Sequence, residues 1–144
     1  MLTVARILLT LSVLGYSLGT IKADFNKTHA TNPAWTPHAR FHLVWQILSY
    51  SGIGLIALYL IWSGGPDAFE HLVLAAAFGV AIYGAFFMAV FSRPVFQGSL
   101  YDQNGYLPFQ PPIGPKQWRW DLNVTAFTVM SAILLAAILA LIAS

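Results

Sequence analysis

Residues 38–62 read H-A-R-F-H-L-V-W-Q-I-L-S-Y-S-G-I-G-L-I-A-L-Y-L-I-W, and this stretch decides the fold. After Arg40 it contains no charged residue. About 20 helical residues cross about 30 Å of hydrocarbon, so the run is long enough to span a bilayer. Lipid cannot satisfy a bare backbone, and a single run must therefore form a helix. The stretch predicts a transmembrane helix.

Three further apolar runs of similar length lie at residues 4–21, 71–91 and 123–143. The whole chain of 144 residues is 58% hydrophobic and only 8% charged, whereas soluble domains carry about 25% charged residues. A chain this short cannot bury so much apolar surface away from water. We interpret the first run as a retained helix, because it is long for a cleaved signal peptide. The sequence predicts an all-α membrane protein, a single domain over residues 1–144.

The connections between these runs alternate in length, which predicts an up-down bundle of four transmembrane helices. The second and third runs are joined by a short turn, while residues 22–37 and 92–122 form two long loops on one side. Residues 92–122 contain five prolines and six aromatic residues. Disordered linkers are poor in aromatics, and loops of this length usually bind or cover something. We expect this loop to cap one side of the bundle, against residues 22–37.

Basic residues concentrate on the side of the two long loops. Only Arg6 lies at the other end, and the remaining six are Lys22, Lys27, Arg40, Arg93, Lys116 and Arg119. The positive-inside rule then predicts that loops 22–37 and 92–122 are cytoplasmic.

Several classes of function find no support in the sequence. The chain has no cysteine, which excludes disulfides and thiolate chemistry. It has no G-x-S-x-G motif, no glycine-rich phosphate loop, and no basic patch with interleaved aromatics for nucleic acid. The interiors of the four spans contain no Asp, Glu, Lys or Arg, which argues against an ion pathway.

Three of the four histidines lie at the start of the second span. His38 and His42 are four residues apart and share a helix face, and Gln46 continues that face. Two imidazoles at this spacing can bind one metal ion, with His29 and Asp24 as further candidate ligands. Alternatively, His29, His38 and His42 are acid–base groups. A third interpretation is that His38 and His42 only hydrogen-bond loop backbone or lipid head groups.

Arg40 lies in the first turn of the second predicted helix, where the helix dipole also favours an anion. It therefore is a candidate for binding a lipid or substrate phosphate. The alternative is that the Arg40 side chain extends to the lipid head groups and keeps its charge solvated there, without binding a particular ligand.

The segment T-H-A-T-N-P-A-W-T-P-H-A-R-F-H, residues 28–42, resembles an element of a family of small bacterial four-span membrane proteins. In that family T-H-x-x-N-P-x-W-x-x-H-A-R-F-H follows the first helix. The resemblance implies a four-helix protein of the bacterial inner membrane, with functional weight on His29, Asn32, His38, Arg40 and His42. It implies no reaction.

Our leading hypothesis is an interfacial site for the polar head of a lipid, isoprenoid or quinone-like molecule. The residues that we expect to contact it, besides the three histidines, are Arg40, Asn32, Gln46, Trp35, Trp45, Tyr50 and Tyr83. Alternatives are a non-catalytic accessory subunit of a larger membrane complex and a metal-binding membrane protein. The expected partners are the lipid bilayer and either a lipophilic small molecule or another membrane protein. Small residues at helix-contact spacing would also allow a homo-oligomer.

Overall fold

The helices account for the architecture of the computed structural model, which describes all residues from 1 to 144. They are α1 Leu2–Tyr16, α2 Leu18–Asp24, α3 Pro37–Trp62, α4 Ala68–Phe96 and α5 Leu122–Ile142. The first two form one span, so four helices are long and apolar enough to cross a membrane. The predicted class, an all-α membrane protein built as a bundle of four spans, is confirmed.

Local hydrogen bonds set where α3 and α5 begin. The Thr36 hydroxyl accepts a bond from the Ala39 N–H at 3.2 Å, directly before Pro37. The Asp121 carboxylate accepts one from the Val124 N–H at 2.9 Å. Both side chains satisfy N–H groups that have no partner within the first turn of a helix.

The end of α4 corrects the prediction that a loop starts at residue 92, since the helix continues through Pro94 to Phe96. Proline has no N–H and so leaves the carbonyl four residues earlier without its usual partner. Here the Arg93 Nε donates to the Val90 carbonyl at 2.7 Å and replaces that partner. The helix ends at Gln97, which adopts the left-handed conformation. The long loop therefore comprises residues 97–121.

The first span also extends beyond the predicted residues 4–21, to Asp24. The amide of Asn26 donates to the carbonyls of Lys22 and Ala23 at 3.1 and 2.8 Å. These two carbonyls lie in the last turn, where intrahelical donors are missing. Asn26 thus completes a polar helix end that hydropathy alone does not detect.

Helix α1 lies at the centre of the bundle and contacts α3, α4 and α5. Its residues Ala5, Leu9 and Tyr16 have no exposed surface. A Cβ added to Gly54 of α3 would lie only 2.7 Å from the Ser17 Cβ, so glycine is what allows α3 to approach this closely. Close approach at small residues is the usual packing device between membrane helices.

The first span changes its packing at Ser17, where α1 ends. Beyond this point α2 contacts α3 but neither α4 nor α5. The Thr20 hydroxyl lies 2.9 Å from the carbonyls of both Tyr16 and Ser17. The Ser17 carbonyl also accepts from the Ile21 N–H, whereas Thr20 replaces the backbone donor that the Tyr16 carbonyl lacks. The consequence is a gap between α2 and α5 at the end of the bundle that carries the long loops.

Three tyrosines close the bundle below this gap. The ring of Tyr16 packs edge-on against those of Tyr50 and Tyr83, with centroids 6.5 and 5.9 Å away. The Tyr83 hydroxyl donates to the Ser12 carbonyl of α1 at 2.6 Å. Further toward the opposite end, Leu9 and Ile61 are fully buried. We call Tyr16, Tyr50 and Tyr83 the tyrosine layer.

The long loop meets the first loop above the gap, as predicted. Its fold is fixed by a backbone pair in which Phe109 and Trp120 each donate to the other's carbonyl, at 2.9 and 2.8 Å. The ring of Tyr106 lies 6.1 Å from that of His29. The loop therefore caps one side of the bundle while most of its own residues stay exposed.

Candidate functional site

A cavity of about 310 Å³ occupies the gap between α2 and α5, above the tyrosine layer. Its polar lining comes from α2, α3, α5 and the first loop, and comprises Thr20, Asp24, His29, Gln46 and Asn123. Its apolar walls are formed by Leu43, Phe86, Phe127 and Met130. Small residues of the first span, Gly15, Gly19 and Ala23, leave the space unfilled. Polar groups therefore surround the mouth of an aromatic-walled chamber.

A second cavity, of about 250 Å³, lies under the long loop. It is lined by Trp35 of the first loop and by residues of the long loop including Asp102 and Tyr106. His29 and Asn123 line both cavities. These two side chains consequently lie between the cavity within the bundle and the cavity under the long loop.

Only the Nδ1 atom of the His29 imidazole has polar partners within the protein. Its Nδ1 lies 2.7 Å from the Thr28 hydroxyl and 3.9 Å from the Asp24 carboxylate. The Trp35 ring packs edge-on against it, with centroids 5.2 Å apart. The Nε2 of His29 makes no hydrogen bond within the protein, so it is free to interact with a molecule in either cavity.

Asn32, predicted to bind ligand, instead holds the loop that carries His29. It is 1% exposed. Its amide donates to the Thr28 carbonyl at 2.9 Å and accepts from the Ala34 N–H at 3.0 Å. These bonds fix the turn around His29 and leave Asn32 outside both cavity linings.

His38 and His42 are close to each other but do not join His29. Their Nε2 atoms are 3.0 Å apart, as the spacing predicted, yet both side chains are exposed. Trp45 is exposed beside them, its ring 5.9 Å from that of His42. These residues belong to the outer face of α3, and none of them lines the cavity.

The four predicted metal ligands are likewise divided between two places. Asp24 and His29 form one pair, and His38 and His42 form the other. No three His, Asp or Glu side chains of the chain converge on a point where they could hold a metal ion. The structure therefore does not assemble the predicted four-residue metal site, because the side chains of His38 and His42 are exposed outside the cavity that His29 lines.

Arg40 also lies outside the cavity. It lines a shallow surface depression at the start of α3, with Pro37, Phe41 and Val44. Of the other predicted contacts, Gln46 and Tyr83 do line the cavity. Tyr50 packs against Tyr16 in the tyrosine layer. The predicted phosphate contact through Arg40 is thus not part of this site.

Sequence reasoning missed Thr20, Asn123, Phe86 and Phe127 as cavity residues. One signal was present, because Asn123 is the only amide side chain in the fourth span and lies in its first turn. A polar residue there is at the same end as His29 and Gln46. The two phenylalanines, stacked with ring centroids 3.9 Å apart, resemble ordinary core residues and give no signal.

Comparisons of the chain with protein-family models, with curated proteins and with solved structures return no match. The candidate site therefore rests on its geometry.

Proposed function

We propose that the protein binds a lipophilic molecule in the cavity between α2 and α5. The polar head would contact His29, Asp24 and Asn123, and the apolar part would pack against Phe86 and Phe127. The observation that carries this proposal is a polar-rimmed, aromatic-walled chamber at the mouth of a bundle that has no charged residue in its interior. Apolar pockets with a few convergent polar groups are typical of small-molecule sites.

The size and position of the cavity support a small lipid-like ligand. Its volume of about 310 Å³ is at the lower end of the range of about 300–1,000 Å³ found for ligand pockets. Because lipid tails are as apolar as the cavity walls, moving a tail from the bilayer into the cavity gains little. Most of the affinity must come from the polar head, where a hydrogen bond to a charged group contributes about 1.5–3 kcal/mol.

The same geometry would also support acid–base chemistry at His29. A histidine with a carboxylate 3.9 Å from one nitrogen and no protein partner on the other resembles the arrangement of a general base and its orienting group. His38 and His42 are too exposed to share this role. Binding is the core of the proposal, and catalysis would require a bound molecule with a proton that Nε2 can reach.

The test is to purify the protein in nanodiscs formed directly from cell membranes, and to identify its retained lipophilic species by mass spectrometry. We expect His29→Ala and Asn123→Ala to lose the species enriched over bulk lipid. His42→Ala, on the outer face of the bundle, is the matched control and should retain it. Equal retention in all three variants, or no enriched species in the wild type, would refute the proposal.

We further propose that the protein resides in a bacterial inner membrane with both long loops in the cytoplasm. Support comes from six of the seven Lys and Arg residues, which lie at the end of the bundle with the two long loops. The chain has no cysteine, so a maleimide can react only with a cysteine that is introduced by mutation. In intact cells a membrane-impermeant maleimide should label Gly64→Cys in the short turn and not Asn104→Cys in the long loop. The reverse pattern would overturn the orientation.

A second candidate function, membership in a larger membrane assembly, is favoured by the outer surface of α4. Ala77, Ala81 and Ala85 are exposed at four-residue spacing, which suits close helix packing. A groove of about 520 Å³ lined only by apolar residues runs between this face and α5. Native mass spectrometry distinguishes this candidate, because an accessory subunit or a homo-oligomer should appear as a stoichiometric complex and a self-sufficient binder as a monomer.

A further inference from the structure

The hydrogen-bond pattern around Asn26 fixes the orientation of its side-chain amide. One side faces the carbonyls of Lys22 and Ala23, at 3.1 and 2.8 Å, which can only accept. The other side faces the Thr28 N–H at 2.8 Å, which can only donate. The NH₂ group must therefore point to the end of α2, and Oδ1 must point to Thr28.

This orientation determines the direction of the next two bonds. The Thr28 hydroxyl lies 2.6 Å from the Asn26 Oδ1, an atom that has no proton, so the hydroxyl donates to it. With its single proton used, the Thr28 oxygen can only accept from the His29 Nδ1, 2.7 Å away. A neutral His29 consequently carries its proton on Nδ1, and its Nε2 is an unprotonated acceptor.

The remaining polar groups add neutral amides and one carboxylate to the cavity. Gln46 and Asn123 line it with side-chain amides that can both donate and accept. The Asp24 carboxylate makes no hydrogen bond within the protein and lines the cavity. No Lys or Arg side chain lines either this cavity or the one under the long loop. Arg40, which the sequence suggested as a phosphate-binding residue, lines a separate surface depression. An anionic head group would meet the Asp24 carboxylate here and no lysine or arginine.

We infer that the cavity selects a ligand whose head group donates a hydrogen bond and carries no negative charge, as in an alcohol or an amine. This inference rests on the proposed function and specifies its ligand class. The head group donates to the Nε2 of His29, and Asp24 excludes phosphate and carboxylate heads. Thr28 and Asn26 act as positioning residues, since they set which nitrogen of His29 faces the ligand.

The inference is tested with three probes that share one chain, namely dodecanol, dodecyl methyl ether and dodecyl phosphate, added to the full-length protein in nanodiscs after removal of its retained lipids. We expect the alcohol to bind about five- to tenfold tighter than the ether, in which a methyl group replaces the donating hydrogen, and the phosphate to bind more weakly still. Equal or tighter binding of the ether or the phosphate overturns the ligand class while the cavity remains a binding site. Absence of binding by all three overturns the proposed function as well.

A second measurement examines the positioning role directly. The ¹⁵N chemical shifts of the His29 ring distinguish a proton on Nδ1 from one on Nε2, and we expect the Nδ1-protonated form in the wild type. Thr28→Val removes the acceptor and should give a mixture of both forms together with a smaller alcohol-to-ether ratio. Thr28→Ser keeps the hydroxyl and should restore both readouts. A wild-type ring protonated on Nε2 at neutral pH would overturn the assignment.

Discussion

A larger side chain at Gly19, which lines the cavity, would fill part of it and test whether it is the binding site. Gly19 lines the cavity, and a Cβ added there would meet only the Leu14 carbonyl, at an ordinary contact distance of 3.7 Å. Gly19→Leu therefore places a side chain in the empty space without forcing the helices apart. Gly52→Leu is the matched control, because a Cβ at this position of α3 has no atom within 4 Å.

The expected loss of binding follows from the volumes. Removing one leucine from a packed core leaves a cavity of about 150 Å³, so adding one at position 19 takes up to about half of the 310 Å³ available. A ligand that fitted before is now overpacked, which costs about 1–3 kcal/mol. At about 1.4 kcal/mol per factor of ten, binding should weaken about fivefold to 150-fold.

The assay is the dissociation constant of dodecanol together with the amount of retained lipophilic species per protein, measured in the same nanodiscs for both variants. Both changes replace a helical glycine by leucine, so any gain in helix propensity is common to them. We expect Gly19→Leu to bind more weakly by the factor given above and Gly52→Leu to bind as the wild type does, while the two variants have the same Tm. Wild-type binding by Gly19→Leu would show that the molecule binds elsewhere.

Three further predictions concern the frame that holds the site. Gly54→Ala should destabilise the bundle by about 1–3 kcal/mol despite its better helix propensity, because the new Cβ lies 2.7 Å from that of Ser17, and thermal unfolding in detergent measures this. Asp121→Ala should cost about 0.5–2 kcal/mol through loss of the α5 cap, seen as a lower Tm that Asp121→Asn largely restores. Tyr83→Phe removes the hydrogen bond to the Ser12 carbonyl and should cost about 0.5–1.5 kcal/mol, and an unchanged Tm would show that this bond adds no stability.

The spans could be predicted from sequence because length and hydropathy are sufficient to define a membrane helix. The placement of the two long loops at one end follows from the number of spans between them. The end of α4 could not be predicted in this way, because Pro94 usually stops a helix. The compensating bond from Arg93 to the Val90 carbonyl is visible only once the side chains are in place.

The position of the site was harder to predict, and the reason lies in the solvent. In a soluble protein the polar face of a helix points to water, but in lipid the outer and inner faces are both apolar. The spacing of His38 and His42 correctly predicts that they share a face. Nothing in α3 indicates that these two side chains lie outside the cavity while Gln46, one turn further along, lines it. His29 reaches the cavity because Asn26 and Thr28 shape its loop, a local pattern that hydropathy does not report.

The tyrosine layer makes the chamber blind-ended. Below Tyr16 and Tyr83 the bundle is closed by side chains without exposed surface, so the cavity does not continue to the opposite end of the bundle. A lipid bound there as we propose would come from the leaflet at the long-loop end. The site would then respond to the composition of that leaflet alone.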